Sequence, residues 1–322
     1  MKRSRSLVAK LLILLMILFF SIDITASETQ QKLRIVTTVA PITNIVQNIV
    51  GSDEQVTGIV PNGVDSHTFE PVPTDAKLLA NADIIIVNGL DLEIPTLTLA
   101  KKVKKPSTPI VHLGNRTLQK EQWRYDFSFP RELGHPNPHL WTNIAHAMRY
   151  AEIIRDNLIA LNPQRQDAYA ANTAAYLLRL EQLDDAIFDC VKTIPKNNRK
   201  LVTYHDSFAY FAPRYGMEVI AAVQPSNFSE PGPREVIRVI EQIKHEAIPA
   251  IFGSEVFPSK VMEQIARETN ARFIDQLSDD ELPAAPNNSF IGMMTENMAT
   301  MSGALGGDPA CVAHVNTGNL FP

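Results

Sequence analysis

Cysteine is scarce, with two residues in 322, Cys190 and Cys311. They lie far apart and form no C-x-x-C pair, which removes the cysteine-based zinc and redox motifs. In an oxidising compartment the two suit a structural disulfide that would pin the C-terminal tail to the end of a helix. Two unpaired thiols fit the sequence equally well, since residue order does not show that the sulfurs meet. Positive charge is in the minority: 30 Lys and Arg face 35 Asp and Glu, for a net charge of −5. That balance, with no basic cluster, argues against a nucleic-acid partner. No Gly-rich phosphate loop occurs. Ser207 stands close to His205 but in no Gly-x-Ser-x-Gly turn, and neighbours so near in sequence rarely face each other as nucleophile and base.

Long apolar runs are equally rare. The one present, LLILLMILFF over 11–20, follows Lys2, Arg3 and Arg5 and precedes the small-residue stretch ITAS at 24–27. That order reads as a secretory signal peptide over 1–27, too short for a membrane span. With no Cys at the expected cleavage site, a free periplasmic protein is expected over a lipid-anchored one. Loss of the signal leaves a soluble chain of net charge about −8.

What is present is alternation. Short Val/Ile-rich runs at 33–39, 56–60, 82–87 and 109–113 read as strands, with helical patterns at 42–50 and 73–80 between them. Continuous apolar strands separated by helices indicate a parallel sheet covered on both faces. Asn143 caps a helix carrying Ile144, Met148, Ala151, Ile154 and Leu158 on one stripe. Asn162-Pro163 opens a second helix that runs without interior Gly or Pro to Val191. Tyr169, Thr173, Tyr176, Leu180, Leu183 and Ile187 form one stripe on this helix, which is roughly 40 Å long at 1.5 Å per residue. The alternation restarts with strands at 201–204, 219–223, 250–252 and 272–274 and helices at 208–215, 234–246, 259–269 and 290–305. The expected fold is α/β: an N-terminal βα lobe over 28–160, a linking backbone helix over 161–195, and a C-terminal βα lobe over 196–322.

Open parallel sheets bind ligands beyond the carboxyl ends of their strands. His67 lies after the second strand, His139 after the fourth and His205 after the first strand of the second lobe, while Asp275 directly follows the last strand. Three imidazoles and a carboxylate suit tetrahedral Zn2+, and four protein ligands close the site, as in a receptor rather than a hydrolase. A shift in strand register would put Asp279 or Asp280 in place of Asp275. Asp206 and Glu255 are candidates to orient the rings. Pro136 and Pro138 exclude a helical pairing of His135 with His139. His112 falls within a strand as a structural residue, and His146 and His245 fall on helices, off the apolar stripe and solvated. Met293, Met294, Met298 and Met301 read as core rather than as a copper site.

At these residues the chain resembles the metal-binding receptors of bacterial zinc and manganese ABC importers, the ZnuA-like and TroA-like group. VPNGVDSHTFEP is similar to that family's "D-P-H-T/S-x-E-P" loop, NPHLWTN to its "D-P-H-x-W-x-D" segment, YHDSFAYFAPRYG to its third segment, and ARFIDQLSDD to the one carrying the acidic ligand. The resemblance covers essentially the whole chain beyond the signal. It implies ligands His67, His139, His205 and Asp275, two lobes on a rigid helix, Zn2+ as transported ligand, no enzymatic activity, and a membrane permease as partner. A periplasmic metal chaperone and a monomeric state are further expectations. Manganese members usually carry Glu where this chain has His205, which favours zinc. A Mn2+ or Fe2+ receptor of the same class and a secreted zinc metalloenzyme are the alternatives, and an adhesin with a merely structural metal is a third. Asn137 and Asn143 replace the acids that usually flank the second His, Ser66 replaces the Pro before the first, and the His-rich loop of many zinc members is absent.

Overall fold

The computed structural model describes residues 32–254, 260–275 and 277–321. The expected signal segment and Glu255 therefore lie outside the described residues. Two four-stranded parallel sheets organise the chain. The first contains β1 (Arg34–Thr37), β2 (Gln55–Gly58), β3 (Ile84–Val87) and β4 (Ile110–His112), in the order β2-β1-β3-β4. The second contains β5 (Lys200–Thr203), β6 (Glu218–Ala222), β7 (Ala250–Phe252) and β8 (Arg272–Ile274), in the order β6-β5-β7-β8. The two orders are the same, so each sheet has its topological switch beside its first strand, where a crevice opens. Register follows burial: Ile35 pairs with both Val56 and Ile84, and Ile86 with Val111. Strand β3 is buried along its whole length, as its continuous IIIV run requires.

Around the first sheet lie α1 (Ala40–Val50), α2 (Pro73–Asn81), α3 (Ile94–Val103) and the short α4 (Leu113–Thr117). Helices α5 (Ile144–Leu161) and α6 (Gln166–Thr193) follow, then α7 (Phe211–Tyr215), α8 (Pro233–Glu246), α9 (Lys260–Thr269) and α10 (Phe290–Ala304) in the second half. The cap on α5 forms as its sequence implies: Asn143 Oδ1 accepts the Ala145 N–H at 3.0 Å. Helix α3, with Pro95 in its first turn, is absent from the sequence reading. Its Thr and Leu alternate at period two, which masks the helical pattern.

The backbone helix α6 has 28 residues, about 42 Å of axis. The expected stripe from Tyr169 to Ile187 is buried, and Cys190 and Val191 extend it. The helix packs against α1, α5, α7 and α10, so one hydrophobic core runs along it and reaches from Ile35 to Phe290. Cys190 is bonded to Cys311, 121 residues away, which ties the C-terminal tail to the last turn of α6. The tail then returns to α1, where Asn319 Oδ1 accepts from Asn44 Nδ2 at 2.9 Å and from Asn48 Nδ2 at 3.0 Å. All four methionines of α10 are core. Among the described residues no helix is long and apolar enough to cross a membrane.

Candidate metal centre

The loops at the carboxyl ends of the strands bring three imidazoles together. His67 Nε2 lies 3.2 Å from His139 Nε2, and His139 Nε2 lies 3.0 Å from His205 Nε2. One ligand atom from each of the three falls within 4.8 Å of the others, a spacing that can hold a metal ion. Tetrahedral zinc with bonds of 2.0–2.1 Å places its nitrogens about 3.3 Å apart, within a few tenths of these separations.

Each ring is placed by its own loop. Asp65 Oδ1 accepts the His67 N–H at 2.9 Å and Asp65 Oδ2 the Thr68 hydroxyl at 3.0 Å, a local turn that projects His67. In the PNPH segment, Asn137 Oδ1 accepts the His139 backbone N–H at 3.1 Å and sits 2.9 Å from its Nδ1. Asn88 Nδ2 donates to the Pro138 carbonyl at 2.9 Å, and Thr142 Oγ1 to the His139 carbonyl at 2.9 Å. His205 follows β5, and its Nδ1 lies 2.6 Å from Gln224 Oε1. Asn137 Nδ2 faces the Asp206 carbonyl at 2.7 Å, which leaves its Oδ1 as acceptor. An amide oxygen only accepts, so His139 and His205 carry their protons on Nδ1. Both Nε2 lone pairs then point into the cluster, the form a metal binds.

The acidic position departs from expectation. Asp275 is exposed, and a Cβ added at Gly253 would lie 2.8 Å from its Oδ1, so it sits over the end of the sheet and outside the cluster. The carboxylate at the rings is Asp279, buried, with Oδ2 3.8 Å from His139 Nε2 and 3.7 Å from His205 Nε2. The chain continues inward past β8 because it is pinned there. Leu277 is buried, the Ser278 backbone is held at both N–H and carbonyl by the Asn297 side chain at 2.9 and 2.6 Å, and Trp141 Nε1 donates to the Asp279 carbonyl at 2.9 Å. Asp280 Oδ2 accepts the Ser66 N–H at 3.3 Å, beside His67 in the chain.

Aromatic side chains enclose the rings. Phe228 stacks on His67 with centroids 4.6 Å apart, Phe129 lies 5.5 Å from it, and Trp141 meets His139 edge-on at 5.1 Å. Burial first, and the adjacent imidazoles second, hold His67 and His139 well below the ordinary histidine value. Both are neutral at physiological pH.

Asp206, expected to orient a ring, instead accepts the Ser128 N–H at 3.2 Å and supports the site through its backbone. Burial, and then the neighbouring Asp126, push its carboxyl well above the usual range. The residues that hold the rings are Asn137 and Gln224. Gln224 was legible in principle, since it too stands just beyond a strand, β6. His112 lies in β4 as expected, and His245 is exposed. His146 is half-buried rather than solvated, with its ring 5.6 Å from that of Tyr210, because the loop after β5 folds back onto α5.

Fold and site together define a class: a two-lobed α/β receptor with a side-chain cluster suited to one metal ion where two parallel sheets end. The family model for the zinc-uptake complex component A, periplasmic, matches residues 35–304. The manganese-binding lipoprotein MntA of Halalkalibacterium halodurans is 30% identical over 286 residues, 88% of this chain and 92% of that protein. The iron-binding protein YfeA of Yersinia pestis is 30% identical over 279 residues, 85% and 87% of the two chains. Among solved structures, the periplasmic zinc-binding protein TroA of Treponema pallidum superposes with a TM-score of 0.78 at 28% identity, covering 85% of this chain and 99% of that one. The chain belongs to the zinc-uptake complex component A family. It is a substrate-binding protein of the metal ABC transporter class, which works with a membrane permease and is not an enzyme.

Proposed function

We propose that this receptor captures Zn2+ in the periplasm with His67, His139, His205 and Asp279 and delivers it to the permease of an ABC importer. The observation that carries this reading is the convergence of three Nε2 atoms, two of them separated by 3.0 Å, with a buried carboxylate beside them. Relatives named for manganese and iron share the scaffold, so the metal must be argued from the donors. Imidazole nitrogen suits zinc, whereas Mn2+ prefers carboxylate, carbonyl and water oxygen. Three nitrogens to one oxygen therefore favour Zn2+. Four protein donors leave no position for an activated water, as a receptor requires.

Capture needs little rearrangement. Asn137 and Gln224 already hold two rings in the metal-ready tautomer, and closure on the ion draws Asp279, now 3.7–3.8 Å from two of the ring nitrogens, inward. Affinity falls in acid, where protons compete for the imidazoles. The long helix α6, packed along one continuous core, resists a wide hinge motion, so release proceeds through small shifts of the loops, biased by docking to the permease.

Competition calorimetry with Zn2+ and Mn2+ on the wild type and on His205→Ala tests the assignment. Zn2+ is expected to bind the wild type more tightly than Mn2+, with the preference shrinking in the variant. Tighter binding of Mn2+ or Fe2+ than of Zn2+ would overturn the choice of metal, and no binding of any divalent ion would overturn the reading itself.

A further inference from the structure

We propose that Phe228 is the positioning residue of His67: its ring fixes the plane of the ligand that lets go of the ion first, and so sets how slowly the ion leaves. The proposal rests on the receptor reading above and adds a control on release. Two of the three ligand rings are held on their far side by amide oxygens, His139 by Asn137 and His205 by Gln224. His67 is held differently. Its backbone N–H is tied to Asp65 and its Nε2 faces His139, but among the described residues no hydrogen bond reaches its Nδ1. This ring meets a face instead. Phe228 lies within 17° of parallel to it, with centroids 4.6 Å apart. Phe129, His139 and His205 all meet His67 tilted, at 44°, 54° and 58°.

His67 is also the outermost ligand. It lines a cavity of about 320 Å3 together with Phe129 and Phe228, whereas His139 and His205 are buried and line no part of it. Solvent therefore reaches His67 before the other two rings. A hydrogen bond to the far nitrogen fixes both the tautomer and the rotation of a ligand ring. A stacked face fixes the plane and leaves the tautomer free. His67 is thus the least constrained of the three imidazoles, and its rotation is the motion that opens the coordination sphere towards the cavity.

The stacked pair joins the two lobes. His67 is carried by the loop after β2 and Phe228 by the loop after β6, the corresponding edge strands of two sheets with the same order. That second loop also supplies Gln224, so one stretch of the second lobe serves two ligands, one through a hydrogen bond and one through a ring face. The backbone presents Phe228 at a cost. Its φ is 58°, in the left-handed region, where a bulky side chain is an outlier. The turn is held locally. Phe228 N–H donates to the Pro225 carbonyl at 2.9 Å, and Asn227 Oδ1 accepts the Ser229 N–H at 3.1 Å and the Ser229 hydroxyl at 2.8 Å. Strain of this kind persists where the surroundings over-determine it, and it gathers at functional positions. Here the His67 ring is part of those surroundings, so unstacking frees the ligand and relieves the turn together.

Dissociation of Zn2+ into excess chelator, together with NMR of the metal-free protein, tests the inference. Phe228→Leu keeps an apolar side chain but removes the planar face. It is expected to speed Zn2+ dissociation about three- to tenfold, the worth of one aromatic pair, with association within about twofold of wild type. In the metal-free protein the His67 ring protons, identified by their loss in His67→Gln, are expected to lie upfield of their position in Phe228→Leu, through the ring current of the stacked face. Phe228→Tyr retains that face and is expected to restore both the slow dissociation and the upfield resonances, which a space-filling role alone would not require. Wild-type dissociation in Phe228→Leu, or a Phe228→Tyr variant as fast as Phe228→Leu, would overturn the proposal and leave the receptor reading intact. A wild type that takes up no Zn2+ would overturn the receptor reading, and the His67 resonances of the metal-free protein would still show whether Phe228 sets the ring.

Discussion

His139 and His205 stand 66 residues apart in sequence and 3.0 Å apart at their Nε2 atoms. One ring comes from the loop after β4 and the other from the loop after β5, so the contact joins the two sheets. Behind each ring is an amide oxygen, Asn137 at 2.9 Å and Gln224 at 2.6 Å. The centre is thus prepared on its far side by neutral acceptors that hold each tautomer without adding charge.

Removing one of these acceptors tests that arrangement. Gln224→Met keeps the length of the side chain but leaves the His205 Nδ1–H without its partner. Zn2+ affinity is expected to fall about 10- to 100-fold, the usual consequence of losing an outer partner at a metal ligand. Chelator competition reads the loss, and circular dichroism should remain that of the wild type.

The acidic ligand is tested by a pair of variants. Asp279→Asn is expected to weaken Zn2+ binding by at least about tenfold, since a direct ligand matters no less than an outer partner. Asp275→Asn, at an exposed position beyond the cluster, should bind within twofold of the wild type. Calorimetry giving the reverse order would restore Asp275 as the ligand.

A pH dependence follows from His146, whose value is lowered from 6.5 to about 4, chiefly by burial and then by the charge of Arg214. The fold holds this ring neutral, so between about 4 and 6.5 the unfolded chain binds the additional proton. Its contribution is complete above 6.5 and is lost as pH falls towards about 4. His146→Gln removes it. Urea unfolding of the metal-free protein should show the stability–pH slope of the variant shallower than wild type by up to about 1.4 kcal/mol per pH unit in that window.

The Cys190–Cys311 bridge closes a loop of 121 residues and holds the tail on α6. The double variant Cys190→Ala/Cys311→Ala is expected to lose about 2–5 kcal/mol of unfolding free energy. The stretch around Asn319 should be the first part to lose amide protection in hydrogen exchange, because its bonds to Asn44 and Asn48 depend on where the tail is tied.

Much of this molecule is legible in residue order. Continuous Val and Ile runs between helical patterns specify two parallel sheets, because only strands buried on both faces tolerate such runs. The stripe from Tyr169 to Ile187 specifies the long helix, because period and length are local properties. The rule that ligands gather beyond strand ends picks out His67, His139 and His205. By the same logic it points to Asp275, which is exposed and set beside Gly253. Strand β8 ends at Ile274, but the loop after it is steered by Asn297 and Trp141, residues remote in sequence, and it is Asp279 that they bring to the rings. Gln224 as the partner of His205, and the closure of Cys190 on Cys311, are likewise products of packing. Hydrophobic period acts over a few residues and can be read from the chain. Which polar atom meets which is decided only when distant segments compete for the same few ångströms, and that competition is settled in three dimensions.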